Sequence, residues 1–443
     1  MKALQFTGSL PRYALTLALG RVSRRAYWGG LSCLELRDIP EPELPGPDWA
    51  VVRTRYAGIC GSDIGLIRLE TSPTASAFSS FPFTIGHENT GRLEKVGANL
   101  PPDLGPGRRV VVDPLLPCSV RGIDPPCPPC RAGEFGHCEN FALGGLAPGL
   151  LIGGCRDTGG SWSPFFLAHK DQIFPVPDDV SDEAAALTEP LAVSLHAVAR
   201  AVRHGAPASG REDTTLVIGG VVIGLGVVAA LRYLGDRSRI IVLARHEHQA
   251  KIARVFGASE VVLTSGPWAA PKTAAPEAGE ARDRLSGLAG WEERLGLILG
   301  TGFHRPLLGR PIPSTGAGRV FECAGSVSAL DAALRFAAPG GEVVLAGLAA
   351  TPKGIDWSFI WRKELRILGT FCYGLEAVGQ DGRPTAGRGQ PTFRMALDLL
   401  ASGRHDFGGL ITHHFRLEDY RKAIATVLDK RSSKVIKAVF DFG

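Results

Sequence analysis

The stretch TLVIGGVVIG (residues 215–224) indicates how the second half of this chain folds. A fully apolar strand runs into a glycine turn, and a helical pattern follows directly. Further along, strand-like and helix-like segments alternate at residues 240–243, 249–256, 319–323, 329–336 and 342–346. This alternation predicts a doubly wound parallel sheet, so the expected fold class is α/β.

The glycine turn also predicts dinucleotide binding through Gly219, Gly220 and Gly224. Glycines in this context let the backbone approach a pyrophosphate at the start of a helix. The turn departs from G-x-G-x-x-G in one respect, because Val221 stands where the second glycine is expected. The neighbouring Gly220 can supply the lost backbone freedom, and the effect of Val221 on cofactor affinity stays open.

A second informative stretch lies in the first half, from TRYAGICGSDIG to FPFTIGHE. It contains Cys60, and His87 is followed directly by Glu88. A thiolate, an imidazole and a carboxylate suit a borderline-soft ion such as zinc, and three protein ligands are typical of a catalytic site. A buried core cysteine and a hydrogen-bonded histidine are the alternative interpretation.

Length and composition limit the choice of function. At 443 residues the chain is too long for one compact core, so two domains are expected. The net charge of +5 is spread without a basic block, which does not support nucleic acid or a membrane surface as a partner. The N-terminus does not resemble a signal peptide, so we expect a cytoplasmic protein. Of nine cysteines, four lie between residues 118 and 138, and this clustering favours metal over disulfides.

The motif GICGSD followed by GHE resembles the zinc-dependent medium-chain dehydrogenase/reductase superfamily, which includes alcohol, polyol, glucose and threonine dehydrogenases. The resemblance covers nearly the whole chain. It implies that Cys60 and His87 bind a catalytic zinc ion, and that Glu88 binds it directly or exchanges with water. Ser62 would relay the proton of the alcohol, and Asp63 would hold the ring of His87. A simple Ser/Asp turn is the alternative for these last two residues.

The resemblance also implies two domains. Residues 1–190 and 365–443 would form a catalytic zinc domain with a GroES-like, partly closed β-barrel, in agreement with the short strand-like runs at 49–56, 91–96 and 109–113. Residues 191–364 would form a Rossmann domain, with an insertion at about 265–318 whose first part we interpret as flexible surface. Residues 1–180 are expected to be mostly strand. From Ser181 the pattern becomes helical over 184–202, interrupted by Pro190.

Glu189, in TEPLAVSLHA, is the fourth residue that we assign to the catalytic metal site. A carboxylate inside an apolar helical stretch is costly unless it is paired or binds a metal. In polyol and glucose dehydrogenases of the family, a Glu-Pro-Leu at this point faces the catalytic zinc. The substrate is therefore expected to be a polyol or sugar, and a glutamate on a helix surface is the alternative.

The cysteine loop predicts a second, structural zinc ion. Cys127, Cys130 and Cys138 have the C-x2-C-x7-C spacing that resembles the last three ligands of the structural zinc lobe in the family. The position of the family's first cysteine is Asp124, while Cys118 lies earlier, so the loop is lengthened. Thiolate suits structural zinc better than carboxylate, so we favour Cys118, with Asp124 as the alternative.

The residues at the end of the second strand indicate which nicotinamide cofactor the chain prefers. NAD-dependent members of the family carry an acid there, whereas this chain has Ala244 followed by Arg245. A guanidinium can pair with the 2′-phosphate of NADP, and no carboxylate repels it. The residues therefore predict a preference for NADP over NAD, and a solvated surface arginine is the alternative.

Together these features predict a zinc-dependent oxidoreductase that transfers hydride between an alcohol and NADP. The alternatives are a threonine- or simple-alcohol dehydrogenase, a non-catalytic zinc protein of the same fold, and a zinc-free quinone reductase. Gly65 stands where polyol and threonine dehydrogenases often have a histidine. The proton shuttle of those enzymes is therefore not fully reproduced in this chain. By resemblance alone, the chain is expected to form a homodimer or homotetramer. The partner is a small-molecule alcohol or carbonyl compound.

Overall fold

The computed structural model describes residues 1–211, 213–265, 290–348, 351–379, 381–383, 385 and 389–443. Two compact units divide the chain. The first contains Met1–Ala192, Cys372–Ala377 and Ala386–Gly443, and the second contains Val193–Phe371 and Val378–Thr385. In the sequence, the change from the first unit to the second falls within the helix Thr188–Arg203.

The first unit is built around a seven-stranded, mostly antiparallel sheet. Trp49–Gly58 is its longest strand, and residues with branched and aromatic side chains (WAVVRTRYAG) favour this extended conformation. Six strands follow one another in the order Ile411–Phe415, Lys437–Asp441, Trp49–Gly58, Asn89–Val96, Arg109–Val112 and Ile173–Pro175, and Phe165–His169 also pairs with Trp49–Gly58. A register shift between Thr54 and Tyr56 bends the central strand just before it reaches Cys60.

Smaller elements complete the first unit. A three-stranded sheet has the order Leu34–Asp38, Lys2–Phe6 and Phe83–Thr84, and Leu375–Glu376 pairs with Gln390–Pro391. The core side chains Leu4, Ile85, Trp162 and Phe440 pack in one cluster, and Val52, Leu93, Val110 and Phe166 pack in another. The α-helices of this unit are Leu10–Gly20, Gly61–Ile67, Pro128–Arg131, Asp182–Ala185, Thr392–Ala401, Tyr420–Leu428 and Lys430–Ser433.

The helix Leu10–Gly20 departs from the expectation that residues 1–180 are mostly strand. Ser9 caps its first turn, and Pro11 occupies an early position where its missing N–H is not needed. Leu10 and Leu17 are exposed, whereas Thr16 is buried. The pattern of apolar residues therefore does not mark the buried face of this helix, which explains why sequence reasoning missed it.

The second unit contains a six-stranded parallel sheet. Its strands lie in the order Glu260–Leu263, Arg239–Ala244, Thr214–Ile218, Ala317–Glu322, Ala337–Leu345 and Arg366–Gly369. The chain order reverses between Thr214–Ile218 and Ala317–Glu322, which is the switch point of a doubly wound sheet. Within the described part of this unit, the helices are Val222–Tyr233, Glu247–Val255, Gly290–Leu299, Val327–Phe336 and Ser358–Lys363. The predicted α/β fold with a parallel sheet is confirmed.

The predicted insertion at 265–318 falls partly outside the described residues, which exclude 266–289. Its second part contains the helix Gly290–Leu299 and a short antiparallel pair, Phe303–His304 with Ile312–Pro313. The strand Ala317–Glu322 already belongs to the parallel sheet. The sheet therefore resumes slightly earlier in the sequence than the predicted end of the insertion.

Candidate active site and metal centres

Cys60, His87 and Glu88 form a possible metal centre in the first unit. One ligand atom from each lies within 4.8 Å of the others. Cys60 follows the strand Trp49–Gly58 and precedes the short helix Gly61–Ile67, so the end of the strand positions its sulfur. The carboxylate of Glu88 is buried, and Cys60 and His87 are partly buried.

Two glycines allow the chain to approach closely here. Gly86 has a φ of +104°, and a Cβ atom built on it would lie 2.4 Å from Cδ1 of Trp162. A Cβ atom on Gly58 would lie 1.8 Å from Oε2 of Glu88. Both positions therefore require glycine, the first to bring His87 into place and the second to leave space for the Glu88 carboxylate.

Asp63 and Ser62 lie on either side of the His87 ring. Asp63 accepts a hydrogen bond from the backbone N–H of Cys60 at 2.9 Å, and its other oxygen is 3.4 Å from Nδ1 of His87. The Ser62 hydroxyl is 3.4 Å from Nε2 of the same ring. Burial opposes a charge on His87, but the Asp63 carboxylate raises the pKa of this histidine well above its usual value. Asp63 thus both caps the turn and orients the imidazole.

Glu189 is buried in the same unit, although it is not part of the group of three ligand atoms. Burial raises the pKa of Glu189 to about 7, and the charge of Glu88 acts in the same direction, against His87 and Lys437. A nearby cation would remove this penalty on the charged form.

The helix around Glu189 differs from the sequence prediction. Ser181 caps a short helix, Asp182–Ala185, by accepting a hydrogen bond from the backbone N–H of Ala184 at 3.1 Å. A new helix, Thr188–Arg203, then begins, and Pro190 lies in its first turn. The missing N–H of proline leaves no helical hydrogen bond unmade at such a position, so Pro190 starts a helix rather than interrupting one.

Sequence reasoning missed three further residues near these carboxylates. Lys437 forms a buried ion pair with Glu88. Burial raises the pKa of Asp113 to about 7, and the charge of Glu189 adds to the effect. Burial also raises the pKa of Tyr373 well above its usual value, with Glu189 again contributing. The lysine inside the apolar run VIKAVF was a signal for the first of these, whereas Asp113 and Tyr373 had none.

The four cysteines 118, 127, 130 and 138 form a second possible metal centre. Their sulfur atoms lie within 4.8 Å of one another, and those of Cys118 and Cys138 are 3.8 Å apart. Cys118 also accepts hydrogen bonds from the backbone N–H of Cys127 at 3.4 Å and from the amide of Asn140 at 3.3 Å. Asp124 lies outside this group. Four sulfur donors match the preference of structural zinc.

None of the nine cysteines forms a disulfide. Within the four-cysteine group, hydrogen bonding from Cys130 lowers the pKa of Cys138 to about 5. A thiolate is therefore favoured on Cys138 at neutral pH, whereas burial raises the pKa of Cys118, and thiolate is the form that binds metal.

The glycine turn of the second unit connects the strand Thr214–Ile218 with the helix Val222–Tyr233. Gly219 has a φ of +119°, and a Cβ atom on Gly224 would lie 1.8 Å from the carbonyl oxygen of Gly219. Val221 has an extended backbone (φ −113°), which a branched side chain adopts without strain. Its side chain makes no capping hydrogen bond, so the first N–H groups of the helix can donate to a phosphate.

Ala244 and Arg245 lie at the end of the next strand. Ala244 is fully buried, and a Cβ atom on Gly220 would lie 3.0 Å from its methyl group. The side chain of Arg245 is exposed, while its backbone N–H donates to the Gln249 side chain at 3.1 Å. The structure thus brings the turn and the strand end close together and leaves the guanidinium in solvent.

No helix among the described residues is both long and apolar enough to cross a membrane.

Comparison with known proteins gives two family matches. Residues 46–178 match the family described as alcohol dehydrogenase GroES-like domain. Residues 222–383 match the family described as zinc-binding dehydrogenase.

The chain is also similar to individual proteins along nearly its whole length. It is 27% identical over 424 residues to L-idonate 5-dehydrogenase of Vitis vinifera, covering 95% of both chains. It is 26% identical over 416 residues to sorbitol dehydrogenase of Arabidopsis thaliana, covering 94% of both. A structure described as a zinc-binding dehydrogenase of Sinorhizobium meliloti 1021 bound to NADP has a TM-score of 0.62 and 27% identity, covering 92% of this chain and 96% of that one.

Proposed function

The chain belongs to the zinc-dependent medium-chain dehydrogenase/reductase superfamily, and from this premise we propose that it is a polyol dehydrogenase. It would oxidise a secondary hydroxyl of a polyol or sugar derivative with NADP, or reduce the corresponding carbonyl compound with NADPH. The names of the related L-idonate and sorbitol dehydrogenases support this class of substrate.

The convergence of Cys60, His87 and Glu88 carries this proposal. A thiolate, an imidazole and a carboxylate fit zinc, and the set leaves room for a substrate oxygen as a further ligand. The buried carboxylate of Glu189 adds negative charge nearby, which also favours a divalent cation. A zinc ion held there would lower the pKa of the substrate hydroxyl and polarise the carbonyl in the reverse direction.

Three side chains near the proposed zinc ion would each have a separate role. Asp63 holds the His87 ring through Nδ1, so that Nε2 points away from this carboxylate. The Ser62 hydroxyl lies beside Nε2, where it can accept the proton that leaves the alcohol and pass it onward. Lys437 neutralises part of the negative charge of Glu88 and thereby fixes its position.

The second unit would hold the cofactor. Gly219, Gly220 and Gly224 allow the pyrophosphate to approach the start of the helix Val222–Tyr233. Ala244 presents no charge to the 2′-position of the ribose, and the exposed Arg245 can pair with a phosphate there. The related structure with bound NADP supports a preference for NADP over NAD.

We propose that the four cysteines bind a structural zinc ion, so that each chain carries two zinc ions. The proposed functional domains are 1–190 with 365–443 for the zinc sites and 191–364 for the cofactor. Assembly into a homodimer or homotetramer, which rests on resemblance alone, and a cytoplasmic location complete the proposal.

A substrate panel tests this function. Purified full-length protein is incubated with sorbitol, xylitol, idonate and simple alcohols, each with NADP and with NAD, and the formation of reduced nicotinamide is followed by absorbance. We expect the highest kcat/KM with a polyol and NADP, and loss of turnover in Cys60→Ser. Turnover with simple alcohols alone would contradict the substrate class, and no turnover in zinc-loaded protein would contradict the enzymatic function.

Metal analysis of the same protein tests the two zinc sites. We expect about two zinc ions per wild-type chain and about one in Cys60→Ser. A single zinc ion in the wild type that is retained in Cys60→Ser would restrict zinc to the cysteine lobe.

A further inference from the structure

Arg121 is one of the largest fully buried side chains of the protein, and its guanidinium is completely hydrogen-bonded. Its five N–H groups donate to five backbone carbonyl oxygens. Nε donates to Leu116 at 3.1 Å, Nη1 to Leu143 and Leu146 at 3.0 Å each, and Nη2 to Ala147 at 3.2 Å and to Gly149 at 2.5 Å. A guanidinium has five donors, so none is left for a carboxylate.

The five acceptors lie on both sides of the four-cysteine group in the sequence. Leu116 precedes Cys118, the first cysteine, and residues 143–149 follow Cys138, the last. The backbone of Arg121 adds to the connection, because its carbonyl oxygen accepts the N–H of Gly145 at 2.9 Å. Arg121 therefore joins the segment that enters the cysteine lobe (residues 118–138) to the segment that leaves it.

The position of Arg121 in the loop is informative. It lies between Cys118 and Cys127, in the part of the loop that is longer than the family pattern. Its N–H donates to the carbonyl oxygens of Pro117 and Cys118, at 3.2 and 3.1 Å, in a tight turn directly after the first cysteine. The additional residues thus contain the side chain that connects both ends of the cysteine lobe.

The charge of Arg121 requires an explanation of its own. A buried cation is costly unless an opposite charge compensates it, and carbonyl dipoles compensate it only in part. The five carbonyl oxygens carry no full charge, and Arg121 lies three residues after Cys118, in the turn where its N–H donates to the Cys118 carbonyl oxygen. Four thiolates around a divalent zinc ion carry a net charge of −2, so a loaded cysteine lobe has an excess of negative charge to balance.

We propose that Arg121 is a positioning residue of the four-cysteine site, which balances the negative charge of the metal-loaded thiolates and holds the two ends of the lobe together. The inference rests on the proposed structural zinc ion. Partners that surround the ligands of a metal site typically change its affinity by about 10–100-fold when they are removed. We expect an effect of this size for the loss of the Arg121 charge.

The test measures zinc affinity in full-length protein by competition with a chromophoric chelator. All variants carry Cys60→Ser, so that the remaining zinc ion reports on the cysteine lobe. Arg121→Met removes the charge and keeps an apolar stem, while Arg121→Lys keeps the charge with fewer donors. Arg131→Met is the matched control, because Arg131 lies in the same lobe, next to Cys130, but is exposed.

We expect Arg121→Met to bind zinc about 10–100-fold more weakly, Arg121→Lys to recover a large part of this loss, and Arg131→Met to resemble the parent. Unchanged affinity in Arg121→Met would overturn the proposal, and a Lys variant as weak as the Met variant would refute charge balance. If Arg121→Met fails to fold, Arg121→Gln provides the neutral variant. A parent protein without zinc would instead contradict the structural zinc site itself.

Discussion

Lys437→Met should destabilise the first unit because it leaves the Glu88 carboxylate buried without its cationic partner. The side chains of Lys437 and Glu88 are only 6% and 1% exposed, so water cannot replace the lost ion pair. Removing one partner of such a pair typically costs about 3–5 kcal/mol. For a unit of this size, roughly 2–4 °C in Tm accompanies each kcal/mol, which gives a decrease of roughly 6–20 °C.

A matched control separates this effect from the general loss of a lysine. Lys170 pairs with Asp48 at 2.6 Å, but the two side chains are 36% and 35% exposed. Exposed pairs contribute about 0.2–1 kcal/mol, so Lys170→Met should barely change the Tm. Thermal unfolding followed by circular dichroism compares the two variants with the wild type.

The double variant Lys437→Met/Glu88→Gln provides the second test. It removes the uncompensated charge and should recover part of the stability lost in the single variant. Glu88→Gln alone is measured as well. If Lys437→Met lowers the Tm no more than Lys170→Met does, or if the stability lost in the double variant equals the sum of the losses in Lys437→Met and Glu88→Gln, the buried pair does not have the energy assigned to it.

The stability that the Lys437–Glu88 ion pair contributes should also depend on pH, and it should be lost only as the pH rises. Burial opposes the charge of Lys437, yet the carboxylate of Glu88 raises the pKa of this lysine above its ordinary value. A raised pKa in the folded state means that the contribution to stability is complete at neutral pH and is lost as the pH rises through the folded-state pKa. The difference in Tm between wild type and Lys437→Met should therefore stay constant near pH 7 and decrease only in strongly alkaline solution.

Three further outcomes are expected. Ser62→Ala should lower kcat by about 10²–10⁴-fold with unchanged zinc content, and an unchanged kcat where chemistry limits the rate would reduce Ser62 to a turn residue. Arg245→Ala should raise the KM for NADP about tenfold and that for NAD little, because it removes charge-assisted bonds to the 2′-phosphate; the exposed Arg254→Ala is the control. Gly58→Ala should cost about 1–3 kcal/mol and reduce zinc content, since its methyl group would displace the Glu88 carboxylate, and a fully zinc-loaded, equally stable variant would contradict the close approach.

Local patterns in the sequence predicted most of the fold. The strand, glycine turn and helix around Gly219 are adjacent in the chain, and their order alone indicates a parallel sheet. The helix Leu10–Gly20 was missed because its exposed leucines conceal which face is buried. Pro190 was misread for a related reason. A proline ends one helix or begins another depending on where the first turn lies, and the sequence does not specify that point.

Candidate metal ligands were accessible to sequence reasoning because donor type and spacing are chemical properties of short segments. The structure brings Cys60 together with His87 and Glu88, and Cys118 together with the other three cysteines. Charged groups on other elements that act on these ligands were not identified from the sequence. Arg121 and Asp113 carry no motif, and only the folded chain shows that Arg121 joins the two ends of the cysteine lobe and that Asp113 lies near Glu189.

Lys437 shows why such partners depend on strand register. Val439 pairs with Gly58 across the two strands, and the N–H of Gly58 donates to the carbonyl oxygen of Glu88 at 3.1 Å. Lys437 stands two residues before Val439 and thus on the same face of the strand, so this register directs its ammonium group toward Glu88. A slip of one residue would turn Lys437 to the opposite face and leave the carboxylate unpaired. The cost of that unpaired buried charge means that the ion pair also favours the correct pairing of the closing strand.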